Sequence, residues 1–84
     1  MINIQYFASI RETLNRESEA MELPQDVSTV QDLIEHLLSA NPHFAAVFSS
    51  GKKVLVAVNQ TVVERDYQLA GGDEVAFFPP MTGG

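Results

Sequence analysis

Cysteine is absent from the 84 residues. A disulfide framework, a thiolate nucleophile, a cysteine-ligated zinc site and an iron–sulfur cluster are therefore excluded. Basic residues are scarce: 5 Lys and Arg stand against 11 Asp and Glu, a net charge of −6. The imbalance is uneven, with 2 basic and 7 acidic groups in residues 1–50 against 3 and 4 in residues 51–84. Only Lys52-Lys53 sets two cations side by side. Nucleic acids and anionic membranes need a basic face, so neither is an expected partner. Long apolar runs are missing as well. Phe44–Phe48 and Val54–Val58 reach five residues each, whereas crossing a bilayer takes roughly 20. The opening Met1-Ile2-Asn3-Ile4-Gln5-Tyr6 has neither the basic start nor the apolar stretch of a signal peptide. A cytoplasmic location is the expectation.

What remains is a chain that is 45% apolar, enough for one small core and too short for two. Residues 2–7 alternate as a half-buried strand, with Ile2, Ile4 and Tyr6 inward. Ser9–Leu14 allows a helical turn, and residues 17–23 read as a more polar strand that Leu23-Pro24 ends. Val30, Leu33, Ile34, Leu37 and Leu38 follow the i, i+3, i+4, i+7, i+8 spacing of an amphipathic helix. Ser28 with Gln31 reads as its capping box, and Asn41-Pro42 stops it.

Pro42 suits the first position of a second short helix carrying Phe44, Val47 and Phe48, with Gly51 as terminator. Val54–Val58, apolar throughout, predicts a strand covered on both faces. Asn59-Gln60 predicts a turn into a weak strand at Thr61–Glu64. Gly71-Gly72-Asp73 is a turn before a last strand, Glu74–Phe78, which Pro79-Pro80 terminate. The order gives an α+β domain over residues 1–80: a mixed sheet of four to five strands packed by one main helix. Pairing of the first and last strands at its centre makes it a β-grasp, or ubiquitin-like, fold.

The body of the chain offers little to catalysis. Asp32 and His36 are four residues apart and read as a solvated pair along one helix edge rather than as metal ligands. The same reading applies to His43, near a helix start, and to Glu64/Asp66 and Asp73/Glu74, which fall in turns. No GxxxxGK[ST] phosphate loop exists. Residues 81–84 differ: Pro79-Pro80 force an extended exit, and Met81-Thr82-Gly83-Gly84 have nothing to bury. Two glycines make a main chain narrow enough to thread a channel.

The last fourteen residues, Gly71–Gly84, strongly resemble the end of the small subunit of molybdopterin synthase, the MoaD family. Val56–Thr61 and the opening Tyr6–Glu12 also look like that family. Met81 stands where the family often has valine. The resemblance implies a non-catalytic, sulfur-carrying subunit of an enzyme complex, a heterotetramer of two small and two large subunits. A ubiquitin-activating-type adenylyltransferase would activate the Gly84 carboxylate with ATP, and a sulfur donor would convert it to a thiocarboxylate. Sulfur would then pass to cyclic pyranopterin monophosphate in the large subunit, forming the molybdopterin dithiolene. By the same analogy Gly84 is the reacting residue and Gly83 gives it steric room. ATP and pterin would bind the partners, so no cofactor or metal is expected on this chain.

Three alternatives accompany that reading: a carrier for thiamine thiazole synthesis, a ubiquitin-like protein modifier, and a β-grasp interaction module. The Phe77-Phe78-Pro79-Pro80 run argues against the thiazole carrier. Strand parity marks Phe7 and Phe78 as outward-facing rings and, with Pro79, Pro80, Met81 and Thr82, as the expected partner-binding residues.

Overall fold

In the computed structural model, which describes residues 1–49 and 51–80, the alternation at the N-terminus becomes β1 (Ile2–Tyr6). Ile2, Ile4 and Tyr6 are at most 1% exposed. Helix α1 (Ala8–Leu14) follows, closed by Asn15 in the left-handed conformation at φ 53°. Then come β2 (Ser18–Met21), α2 (Val30–Ala40), a 3₁₀ turn (Pro42–Phe44) and α3 (Ala45–Phe48). Three strands complete the fold: β3 (Leu55–Val58), β4 (Thr61–Val63) and β5 (Glu74–Phe78).

The five strands form one mixed sheet in the order β2-β1-β5-β3-β4. β5 lies parallel to β1, with Ile4 opposite Val75 and Tyr6 opposite Phe77, and antiparallel to β3. The chain is thus a β-grasp: the last strand enters between the first and the third, and α2 packs on one face. Val30, Leu33, Ile34 and Leu37 of α2 join Ile2, Ile4, Val56, Val58, Val75 and Phe77 in a single core.

Four aromatic rings close that core beneath the end of β5. Tyr6 stacks on Phe77 at 6.2 Å and meets Phe44 edge-on at 5.9 Å, while Phe48 meets Phe77 edge-on at 5.0 Å. The Tyr6 hydroxyl donates to Glu19 at 2.7 Å, which satisfies the one polar atom this ring buries. Burial raises the Tyr6 phenol pKa well above its ordinary value, and the Glu19 hydrogen bond and charge add to the shift. Arg16 holds Glu19 at 2.9 Å and sits 5.5 Å over the Phe44 ring, tying the loop before β2 to the cluster.

Two local expectations shift. The capping box is Thr29 with Asp32, one residue later than the Ser28–Gln31 pair. Thr29 is held extended by a β-bridge to Gln68, so the helix starts at Val30. Strand β3 begins at Leu55 and is not covered equally on both faces: Leu55 is only half-buried. At the far end of the sheet, Asn59 and Gln60 both take positive φ, 51° and 70°. This is the geometry of a two-residue hairpin turn whose twist matches the flanking strands. Asn59 locks it to the β5 turn, donating its amide to Asp73 and accepting from the Glu74 N–H, both at 3.0 Å.

Leu33 and Leu37 are 0% and 5% exposed. Leu→Ala at either is expected to cost about 2–5 kcal/mol, a large part of the roughly 5–15 kcal/mol available to a small domain. Thermal denaturation checks it, and parent-like melting would mean that this face does not carry the core.

Candidate functional site

Cross-strand partners point to the same face of a sheet, so the register defines both faces. One face is the core. On the other, Gln5, Ala76, Ala57 and Val62 form one row, and Phe78 and Leu55 begin the next. Phe7 follows directly on β1, its N–H donating to the Phe77 carbonyl at 3.1 Å, so the pleat places its ring on this outer face. Phe7 is 47% exposed and Val62 63%, while Leu55, Ala76 and Phe78 are half-buried. The two phenylalanines expected to face outward do so, at the ends of adjacent central strands.

Backbone geometry helps to hold Phe7 there. Ala8 adopts φ 52°, a left-handed conformation that costs a non-glycine residue about 1–2 kcal/mol. The Phe7 carbonyl accepts the N–H groups of Ile10 and Arg11 at 3.1 and 3.3 Å. The chain therefore leaves the sheet abruptly and enters α1 without burying the Phe7 ring.

The candidate residues beyond Pro80 (Met81, Thr82, Gly83 and Gly84) lie outside the described residues. Pro79 and Pro80 follow β5, half-buried and exposed respectively. Pro79 borders a small cleft between α1, α3 and the start of β3. The end of β5, the outer-face rings and the root of the C-terminal segment thus share one end of the sheet.

Leu55 and Val62 belong to the outer face and were not marked in the sequence. Val54–Val58 shows no alternation, which concealed the outward side of β3. The signal lay in the turn: a two-residue Asn59-Gln60 connection pairs Ala57 with Val62 and so puts them on one face.

Three of the titratable residues noted in the sequence, Asp32, His43 and Asp73, make structural contacts. Asp32 accepts from the Ser28 and Thr29 N–H groups at 3.0 and 3.1 Å. His43 Nε2 lies 2.9 Å from the Thr13 carbonyl, joining the 3₁₀ turn to α1. Asp73 accepts from Ala70 N–H at 2.8 Å as well as from Asn59. No group of three or more metal-ligating side chains occurs among the described residues. The same residues include no helix long and apolar enough to cross a membrane.

Comparison with known proteins places this geometry. The fold is that of a ubiquitin-like, β-grasp protein. A model of the ThiS family matches residues 4–84, and the chain belongs to that family. It is 44% identical to the molybdopterin synthase sulfur carrier subunit of Escherichia coli (strain K12), over 100% of both chains. It also resembles the small archaeal modifier protein 1 of H. volcanii, at TM-score 0.75 and 25% identity, covering 95% of this chain and 97% of that one. A complex of subunits 1 and 2 of the molybdopterin-converting factor from Helicobacter pylori 26695 contains the same fold, at TM-score 0.68, 17% identity and coverage of 99% and 97%.

The two backbone N–H groups hold the Asp32 carboxyl below its ordinary pKa. Their stabilisation is in place above the ordinary carboxylate pKa of about 4 and is lost as pH falls through the lower, folded-state value. Asp32→Asn is therefore expected to melt below the parent at neutral pH, with the gap narrowing as pH falls below the ordinary carboxylate range. Paired thermal melts across pH check it; a gap independent of pH would contradict the capping role.

Proposed function

We propose that this chain is the sulfur-carrying subunit of a molybdopterin synthase and that its reactive group is the Gly84 carboxylate. The observation that carries the reading is full-length similarity to a molybdopterin synthase sulfur carrier subunit together with the Gly83-Gly84 ending. Asp32, Asn41 and Asp73 serve caps and turns, and Glu19 accepts from the core tyrosine. β5 ends in the middle of the sheet, and Pro79-Pro80 cannot continue its ladder.

The chemistry follows from the weakness of a carboxylate as an electrophile. A Gly84 carboxylate oxygen attacks the α-phosphorus of ATP on an adenylyltransferase, and pyrophosphate leaves. A sulfide-level sulfur nucleophile then attacks the acyl carbon, AMP departs, and loss of the sulfur-bound proton leaves a thiocarboxylate; where the sulfur arrives as a donor persulfide, the acyl disulfide formed is cleaved by a thiol reductant. That sulfur is a good nucleophile at neutral pH and needs no cysteine. In the large subunit it attacks a carbon of cyclic pyranopterin monophosphate, water cleaves the resulting thioester to return the Gly84 carboxylate, and two such transfers supply the two sulfurs of the dithiolene. ATP and pterin are held by the partners, the whole cycle runs in the cytoplasm, and the complex is a heterotetramer. The outer face with Phe7 and Phe78 is the docking surface for both partners, because buried aromatic anchors dominate protein interfaces.

A second reading has one observation behind it, the likeness to a small archaeal modifier protein. In that case Gly84 ends in an isopeptide bond to a lysine of another protein. The two readings share activation and differ in the acceptor.

Deleting Gly84, or adding one residue after it, is expected to abolish thiocarboxylate formation while leaving the melting temperature unchanged. Normal sulfur loading of either variant, read by mass spectrometry, would overturn the carrier assignment. Phe7→Ala and Phe78→Ala are expected to weaken binding to the large subunit or the adenylyltransferase by about tenfold or more. Their stability should fall far less than that of the Leu33 and Leu37 variants. Binding and melting measured on the same proteins decide it: a large stability loss with unchanged affinity for both partners would assign these rings to the core.

A further inference from the structure

Among the described residues, four other than glycine take positive φ: Ala8, Asn15, Asn59 and Gln60. Three of them belong to ordinary turn geometry. Asn15 closes α1, and Asn59-Gln60 make the two-residue turn from β3 to β4. Ala8 is different. It is the first residue of α1, where φ near −60° is the rule and even proline ordinarily fits. It stands instead at 52°. Asparagine visits this region because its short polar side chain can bond the local backbone, and alanine has no such group. Ala8 is also exposed, so burial of its methyl group in the core does not offset the strain.

The contacts that impose the conformation lie on either side of it. Phe7 is tied through its N–H to β5 and through its carbonyl to Ile10 and Arg11, and Ile10 is buried in the core. Ser9, on the other side, lines the cleft that Pro79 borders. The strained residue therefore sits between the outward ring of Phe7 and the place where the chain leaves β5. Strain of this kind persists where the surroundings over-determine it, and it collects at binding and catalytic sites. The path alone calls for glycine, which follows it without steric cost. A methyl group here lowers the stability of the free chain, and the surface it adds to is the one assigned above to docking.

We propose that Ala8 is a contact residue of the docking face, its methyl group packing against an apolar part of the large subunit beside the Phe7 ring. The inference rests on the carrier reading above. It predicts an opposition that a plain connecting turn does not show: removing the methyl group stabilises the free chain and weakens the complex.

The test is the melting temperature of the full chain, and its affinity for the large subunit by calorimetry, for Ala8→Gly and Ala8→Ser. Ala8→Gly is expected to melt above the parent and to bind about fourfold more weakly, the effect of one buried methyl group. Ala8→Ser keeps the β-carbon and its restriction on the backbone but adds a hydroxyl, which an apolar contact rejects. It is expected to melt like the parent and to bind about twofold more weakly or worse. Parent-like or tighter binding by Ala8→Gly would overturn the proposal and reduce Ala8 to a connector. Weak binding by Ala8→Gly with parent-like binding by Ala8→Ser would also overturn it, by assigning the loss to backbone freedom. Melting of Ala8→Gly at or below the parent would remove the strain on which the inference stands. Each of these leaves the carrier reading intact. A parent chain that neither binds the large subunit nor gains sulfur would instead overturn the carrier reading, and this inference with it.

Discussion

The parallel pairing of β1 with β5 is the constraint on which the rest of the structure depends. These two strands come from opposite ends of the sequence, and every other element lies between them in the chain. Their pairing places Ile2, Ile4, Tyr6, Val75 and Phe77 on one face, which creates the floor that α2 covers. It also fixes where the C-terminal segment leaves the body: at the centre of the sheet, beside Phe7, rather than at a free edge. The Gly72 N–H bonds the Met1 carbonyl at 2.7 Å and the Asn3 N–H bonds the Asp73 carbonyl at 3.1 Å. The entry to β5 is therefore tied to the N-terminus as firmly as the strand itself.

Around that pair the two faces divide the work. The inner face is sealed by α2 and, beneath the end of β5, by the ring cluster of Tyr6, Phe44, Phe48 and Phe77. The outer face keeps Phe7, Leu55, Val62 and Phe78 partly or largely in water. Apolar groups left exposed together on a small acidic protein form the surface that the proposed function assigns to partner docking. Close packing below and an apolar surface above suit the carrier role proposed for this chain.

Much of this was legible in the sequence, because periodicity reports burial directly. The i, i+3, i+4 spacing of α2 and the alternation of β1 located the core residues, and the prolines after Phe78 located the end of β5. Parity also put Phe7 and Phe78 on the outer face. The capping box was off by one because Ser28 and Thr29 both suit a cap, and only the bridge from Thr29 to Gln68, a tertiary contact, decides between them. The outward residues Leu55 and Val62 were hidden because an uninterrupted apolar run carries no parity. Function was legible only through resemblance: Gly83-Gly84 alone is a small polar ending.

The central claim is that Gly84 carries sulfur, and the intact mass of the chain reports it most directly. The unmodified chain would be incubated with the adenylyltransferase, ATP and a sulfur donor, and then supplied with the large subunit and the pterin precursor. The account predicts a mass increase equal to replacing one oxygen by sulfur at Gly84, which reverts as molybdopterin forms. A chain whose mass stays unchanged with an active adenylyltransferase, or which appears linked to lysines of other proteins instead, would contradict it.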